Sequence, residues 1–381
     1  MNLALPFLAG HTSAPGVAAS ARPAPIHGAR SGAVAFPLAA LAVCALASAV
    51  LLPAPAAAED SAALNLRAQA ESFDTLHGRS THTFVHVELR WQYNASWQTA
   101  LRGALTARQD SDGGARMAVN EMSLERPLAG GFLTAGKKVM SWDVGYAFRP
   151  LDVVQQEDRR ALNPVTLEGV PMLAWEAFDT DRALTVVLSN PGRSREGQPR
   201  DDGSLAVRLY RQNGARDEYA VLRVSSRNGI EGGLSFSQVA SLELELHASV
   251  LLQQRHDIWR TSRTAPPHWQ RGAGDNGGGK VLAGFTWTNE AKFSMLGEAW
   301  LDRTASARQQ RNVLLRAAQN SGDFDVSADI LWQPENGSKT ASLALSWKPG
   351  PWLFSATVRR YGGVPGAAVR SAAIATVQHA F

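Results

Sequence analysis

Leu242-Glu243-Leu244-Glu245-Leu246-His247-Ala248-Ser249-Val250 alternates apolar and polar side chains along one short run. A β-strand points successive side chains to opposite faces, so this run has one greasy face and one ionisable face. A soluble sandwich buries the greasy face against a second sheet. A transmembrane barrel turns it to lipid and keeps the charges in a wet lumen. Which of the two holds decides what the chain can do, and the rest of the sequence bears on the choice.

From about residue 64 to Phe381 the chain repeats this pattern in short runs separated by turns. The periodicity predicts an all-β fold, an antiparallel transmembrane β-barrel of about eighteen strands, with sixteen as the fallback. Three of the predicted strands cover 131–147, 306–317 and 367–381. The 306–317 run is the weakest strand, with helix as its alternative. Every other connection is short, and the longest are Phe148–Gly169, Pro191–Gly203 and His256–Gly278. Barrels of this kind have short periplasmic turns and longer extracellular loops. That rule assigns the short set to the periplasm, together with both chain ends.

The first 58 residues differ from the rest. They hold no acidic residue, and Arg22, His27 and Arg30 precede an apolar stretch from Ala33 to Leu52. Pro53-Ala54-Pro55-Ala56-Ala57-Ala58 follows, and then Glu59-Asp60. Basic, apolar and small-residue segments in that order read as a secretory signal cleaved after Ala58, with the true start downstream of Met1 as an open alternative. The only cysteine, Cys44, falls inside this signal. Residues 59–381 therefore form the barrel without any disulfide, and a closed hydrogen-bond ladder must hold it. No apolar run of 18 residues follows the signal, which excludes helical spanning. The mature charge is 36 basic side chains against 34 acidic, with no basic stripe, so nucleic acid is not an expected partner.

Tryptophans mark predicted strand ends. Trp91 and Trp97 flank one short turn, Trp347 and Trp352 another, and Trp287, Trp300 and Trp332 sit beside turns. They are read as interfacial girdles, where an apolar ring with a polar edge is stable.

The signal, the cysteine-free alternating chain and the terminal Phe381 resemble Gram-negative outer-membrane porins. The last strand carries Ala373, Ala375, Val377, His379 and Phe381 in one frame, with His379 in place of a commoner aromatic. Gly136-Lys137-Lys138-Val139-Met140-Ser141-Trp142-Asp143-Val144-Gly145, followed by Arg149-Pro150-Leu151-Asp152, resembles a stretch of poorly characterised porin-like families. The resemblance implies an outer-membrane location and an aqueous channel for small hydrophilic solutes, passive or weakly selective. It implies contact with outer-membrane lipid, lipopolysaccharide and the barrel-assembly machinery. It says nothing of substrate or oligomeric state.

The alternation places His86, Glu88, Arg90, Arg102, Arg208, Glu243, Glu245, His247, Asp325, Asp329 and Arg359 toward the lumen. Mixed charge is costly in a dry core and natural in a hydrated pore. Facing rows of opposite sign would select solutes by charge and size. The Phe148–Gly169 connection joins apolar Leu151, Val153, Val154 and Leu162 to the charges Arg149, Asp152, Glu157, Asp158, Arg159 and Arg160. Folding it inward as a constriction shelters the first group and wets the second. The alternative is a loop lying on the rim.

Enzymatic readings are weak, and none is expected. His247-Ala248-Ser249 resembles the His-x-Ser of outer-membrane phospholipases, but Val250 follows where that family has Asn. His82, His86 and Glu88 share a face at a spacing that recurs by chance, so no metal or other cofactor is expected. Two further readings are kept: a barrel that exports a polymer, and a lipid-facing enzyme.

Overall fold

The protein's structure is a computed structural model that describes residues 60–95, 99–155, 167–190, 202–260, 268–270, 277–363 and 369–381. The signal segment, Cys44, Trp97 and the charged run 157–160 lie outside the described residues.

The alternating runs form the strands β1 (Ser61–Thr75), β2 (Gly78–Ala95), β3 (Thr99–Asp110), β4 (Ala115–Leu128), β5 (Gly131–Lys138), β6 (Val170–Phe178) and β7 (Arg182–Ser189). They continue as β8 (Ser204–Asn213), β9 (Arg216–Ser225), β10 (Gly229–Val239) and β11 (Leu244–Gln253). The strands β12 (Ile258–Arg260) and β13 (His268–Gln270) make a separate ribbon within one long connection. The main sheet resumes with β14 (Gly278–Thr288), β15 (Phe293–Asp302), β16 (Arg311–Ser321) and β17 (Phe324–Gln333). It ends with β18 (Ser338–Trp347), β19 (Trp352–Gly362) and β20 (Val369–Ala380).

Eighteen strands form one antiparallel sheet, each paired with its sequence neighbours. The sheet closes where β1 pairs with β20, from Asn65 opposite Ala380 to Thr75 opposite Val369. Phe381 extends this seam, its N–H donating to the Leu64 carbonyl at 2.9 Å. Closure removes both edges, so the strand N–H and C=O groups pair with a neighbour on either side, as a lipid-embedded sheet requires. The count settles eighteen over sixteen.

The connections sort by end. At one end the turns are short, such as Ala129-Gly130, where both residues take positive φ (51° and 75°). Two consecutive left-handed residues make the tight turn whose twist matches that of antiparallel strands. The chain ends meet at this turn end. The long connections 139–169, 190–203 and 254–277 all leave from the other, loop end.

Two predicted strands end elsewhere. The 306–317 run becomes β16 at Arg311–Ser321, shifted toward the C-terminus. Asp302 explains the shift: its carboxylate accepts from the Thr304 N–H and hydroxyl, and the Gln309 N–H donates to the Ser306 carbonyl. Local turn bonds thus satisfy 303–310 without a ladder. The 131–147 run becomes β5, which stops at Lys138. Beyond it the ladder is replaced by side chains, as Glu121 accepts from the Val139 N–H and Gln155 from the Met140 N–H.

The outer face is apolar. Leu209, Leu234, Val250, Leu252, Val281, Leu343 and Val358 project outward and are exposed. At the turn end, rings stack from strand to strand. Phe324 lies on Trp347, Trp347 on Phe354, and Phe354 on Trp352, with centroids 5.3–6.0 Å apart. His379 then bridges Trp352 (4.4 Å) and Phe381 (4.2 Å), so it takes an aromatic's place in the girdle. Trp300 departs from the girdle expectation: it is 6 % exposed and points inward. It shares its frame with Glu298 rather than with the outward Ala299.

Candidate functional site: the lumen and its inward loop

Side chains directly opposite one another in a ladder share a face. One internal segment shows which face is the interior. Residues 139–155 leave β5 at the loop end and touch β6, β7, β8, β9, β11, β14, β15 and β16, strands of one continuous arc of the wall. A segment that packs on inward side chains all along this arc, from β5 to Glu298 of β15, lies inside the barrel against one half of its wall.

The packing is apolar at both contacts. Met140, Trp142, Leu151, Val153 and Val154 pack on Val170, Met172, Ala174, Val187, Ala206, Val221 and Leu251. Tyr146, Ala147 and Phe148 pack on Leu282, Trp300 and Leu314, with the Phe148 and Trp300 rings stacked at 5.6 Å. Leu151, Leu251 and Leu282 are almost fully buried, each worth about 1.5–3 kcal/mol of apolar burial. Gly145 is required at the tip. A Cβ there would sit 1.9 Å from the Phe148 carbonyl oxygen and 2.5 Å from a Leu282 methyl.

Three carboxylates replace the missing ladder. Asp143 accepts from the Leu151 N–H (2.7 Å), the Val144 N–H (2.8 Å) and the Ser249 hydroxyl (2.5 Å) of β11. Asp152 accepts from the Trp142 and Asp143 N–H groups at 2.5 and 3.0 Å, with Arg149 3.3 Å away. Glu298 of β15 accepts from the Tyr146 N–H (2.5 Å) and the Ala147 N–H (2.8 Å), and His247 Nε2 lies 3.1 Å from it. Buried backbone donors need partners, and charged acceptors make the strong ones. Gly284 leaves room for this latch, since a Cβ there would meet His247 Nε2 at 2.4 Å. Burial pushes the Asp152 carboxyl up to about 6, against the pull of Arg149, and burial raises Asp143 as well.

The ladder extends the inward frame around the barrel. It puts His86, Glu88 and Arg90 of β2 opposite Arg67, Asn65 and Ala63 of β1. It likewise places Arg102, Arg208, Glu245, His247, Asp325, Asp329 and Arg359 on the inner face. Around β1–β3 the inner wall is basic: Arg67 bonds Gln378 at 3.2 Å, Arg90 pairs with Glu88, and Arg102 reaches Glu125 at 3.5 Å. Arg108 lies 3.7 Å above the Phe84 ring and pairs with Asp110 at 2.6 Å. Opposite pairs such as Arg316 and Asp329 continue across β16–β17.

Glu243 departs from the expected lumen row. It lies in the turn before β11 and accepts a bond from the Trp287 indole at 3.0 Å. Trp287 opposes Leu244 in the outward frame, so Glu243 belongs to the turn-end rim. His247 and Ser249 are both bonded within the lumen and face no lipid. Of the loop charges named from sequence, Arg149 and Asp152 lie in this segment. Glu157, Asp158, Arg159 and Arg160 fall outside the described residues. The segment begins at 139, before the Phe148–Gly169 span.

Sequence reading quoted Asp143 only within the porin-like stretch, took Trp300 for a girdle ring and passed over Glu298, yet together they seat the loop. The available signal was apolar residues in the inward frame, from Val170 and Met172 through Leu282 and Leu314. A water-filled lumen gives such residues no shelter. Among the described residues no group of three or more His, Cys, Asp or Glu side chains is arranged to hold a metal.

No family model and no curated protein matches this chain by sequence. Solved structures match by fold. Acinetobacter baumannii OccAB3 superposes with a TM-score of 0.59 at 10% identity, covering 85% of this chain and 100% of its own. Pseudomonas aeruginosa OccK8 (OprE) gives 0.59 at 9%, covering 85% and 98%. A triple mutant of the Rhodopseudomonas blastica porin gives 0.50 at 11%, covering 85% and 100%. The chain is a closed eighteen-stranded antiparallel barrel with the fold of outer-membrane porins and Occ proteins.

Proposed function

We propose that the chain is an outer-membrane channel through which small hydrophilic solutes diffuse, passively or with weak selectivity. The observation that carries this reading is the 139–155 segment seated in the lumen against an inner wall that is otherwise charged and hydroxylated. A barrel of 16–18 strands leaves an aqueous lumen. A loop packed on one side of it leaves the passage to the other side, along β17–β20 and β1–β3. Arg90, Arg102 and Arg359 would line that passage with Glu88, Asp325 and Asp329, and opposed charges in a narrow low-dielectric passage sort solutes by charge. The chain would reach the outer membrane through a signal cleaved after Ala58, and the assembly machinery would read the strand that ends in Phe381. The apolar outer face and its ring girdle fit a bilayer. No step of this reading calls for bond chemistry.

Single-channel recording of refolded protein in a planar bilayer tests the proposal. Discrete ohmic steps are expected. A refolded, heat-modifiable barrel that conducts nothing would overturn it.

A further inference from the structure

A row of rings lies on the inner wall at the turn end, below the seated loop. Phe178, Ala183, Tyr210 and Tyr219 oppose one another across β6–β9. Phe132 of β5 opposes Glu176, one inward position nearer the loop end than Phe178. The four aromatics share the frame of buried Thr134, Ala174, Ala206 and Val221, so they face the lumen and not lipid. The opposite frame is outward, where Trp175 covers Gly131 closely enough that a Cβ there would meet its ring at 3.1 Å. The rings of Phe132 and Phe178 are parallel within 7° with centroids 5.6 Å apart, and those of Tyr210 and Tyr219 are 5.2 Å apart. Phe178 is 65 % exposed and Phe132 36 %. A girdle ring meets lipid headgroups, whereas these meet pore water, and clustered apolar surface left in water marks a binding site.

Charge decides the class of ligand. The inward charges flanking the row are Arg102, Lys138 and Arg208 against Glu125, Glu176 and Asp217. Glu125 lies 3.5 Å from Arg102 and 3.8 Å from Lys138, and Glu176 lies 3.7 Å from Lys138. Asp217 accepts from the Tyr210 hydroxyl at 2.7 Å. Three bases against three acids leave no net charge for an ion to neutralise. Two polar atoms beside Tyr219 lack a hydrogen-bond partner among the described residues. One is the Oγ of Ser235, which opposes Tyr219 and is 5 % exposed. The other is the Nε of Arg208, whose guanidinium lies 4.8 Å over the Tyr219 ring. A hydroxyl can accept from the second and exchange a bond with the first.

We propose that this row binds a neutral oligosaccharide at the turn-end mouth of the pore, its sugar faces lying on Phe132, Phe178, Tyr210 and Tyr219 and one of its hydroxyls held by Ser235 and Arg208. A pyranose presents C–H faces rimmed by hydroxyls, which match apolar rings edged by a few polar groups. From Phe132 to Tyr219 is four strand spacings, about 19 Å at about 4.8 Å each, so the row seats more than one sugar ring. The inference rests on the channel reading above for the route by which the sugar arrives, and it names neutral sugars as a solute class.

The test uses refolded full barrel in an amine-oxide detergent, which carries no sugar headgroup, with channel recording run in parallel. Isothermal titration calorimetry measures binding of cellotriose, maltotriose, benzoate and choline. Wild type is expected to bind a trisaccharide, and more tightly than either ion. Phe178→Ala should weaken that binding about fivefold to tenfold, and Ser235→Ala at least about threefold. Phe178 is exposed, so its truncation leaves no cavity in the wall. Phe293→Leu, which alters an outward ring at the same end, should bind as wild type does. Trisaccharide binding that survives either inward substitution unchanged overturns the site, as does the absence of any trisaccharide binding. Tighter binding of benzoate or choline gives the rings to charged solutes and overturns the neutral-sugar class. Binding is read without voltage, so a barrel that binds and never conducts refutes the channel and leaves the site standing. One that conducts and binds no trisaccharide refutes the site alone.

Discussion

The two halves of the inner wall are built from the same alternating strands and end in opposite states. From β6 to β9, and on through β11 and β14–β16, inward positions carry Val170, Met172, Val187, Val221, Leu251, Leu282 and Leu314, all buried. From β17 through β20 to β2 they carry Asp325, Asp329, Ser342, Thr357, Thr376, Gln378, Arg67 and Glu88. The exceptions on this second half are few: Ile374 and Ala372 are buried, and Phe84 lies under Arg108. Apolar side chains gather in the footprint of the 139–155 segment, among buried Arg223, Glu231, Lys280 and Glu298, whereas the second half is mostly polar. The comparison teaches that an inner barrel wall need not be uniform. Its chemistry records what is packed on it, because apolar groups facing water cost free energy and charged groups facing a dry loop cost more.

Removing the loop should break the comparison outright. Replacing 142–151 by a short Gly-Ser link should raise single-channel conductance severalfold and should also expose the apolar half, so refolding yield should fall. A loop-deleted barrel with wild-type conductance would mean that the segment does not narrow the passage. Next in size is the latch. Glu298→Ala leaves two loop N–H groups without their acceptor and should cost about 2–5 kcal/mol in urea unfolding, with added open-channel noise. Asp325→Ala on the open half should cost less than about 1 kcal/mol, since both Asp325 and its partner Lys348 are well exposed. Equal costs would erase the distinction between the halves.

Leu251→Ala, inside the footprint, should cost about 2–4 kcal/mol because the rigid loop cannot collapse onto the cavity. Charge reversal on the open half should act on selectivity instead. Arg90→Glu with Arg102→Glu should move the reversal potential toward cation preference with little change in stability, as read in a salt gradient.

The smallest effect is that of pH. Asp152 titrates at about 6 in the docked loop and at 3.8 when unperturbed, so between these values the docked form holds a proton that a released loop would not. Its contribution to docking is present in acid and is lost as pH rises through about 4–6. Below pH 6 the neutral carboxyl also leaves Arg149 unbalanced. Anion preference should therefore rise slightly as pH falls through 6, and Asp152→Asn should flatten that dependence.

Much of this architecture is written locally. A two-residue period with turn signals is a property of neighbouring residues, so the strands, the sorting of short and long connections, and most of the lumen row from His86 to Arg359 were legible before any tertiary contact. Where local bonding competed with the pattern, the reading slipped: Asp302 holds back the start of β16, and Glu243 follows the pattern in letters yet sits in a turn. The alternation also could not say which polar face was wet. Val170, Leu251 and Leu282 look like ordinary strand residues until a loop from another part of the chain lies on them. Asp143, Glu298 and Trp300 act as a seat only because β5 stops at Lys138 and sends 139–155 into the barrel. Sequence alone determined the two-faced strands, since side-chain direction follows from backbone geometry. Only the tertiary structure decided which inner half is dry, because burial there depends on contacts between residues from tens to more than a hundred positions apart, and no local pattern encodes them.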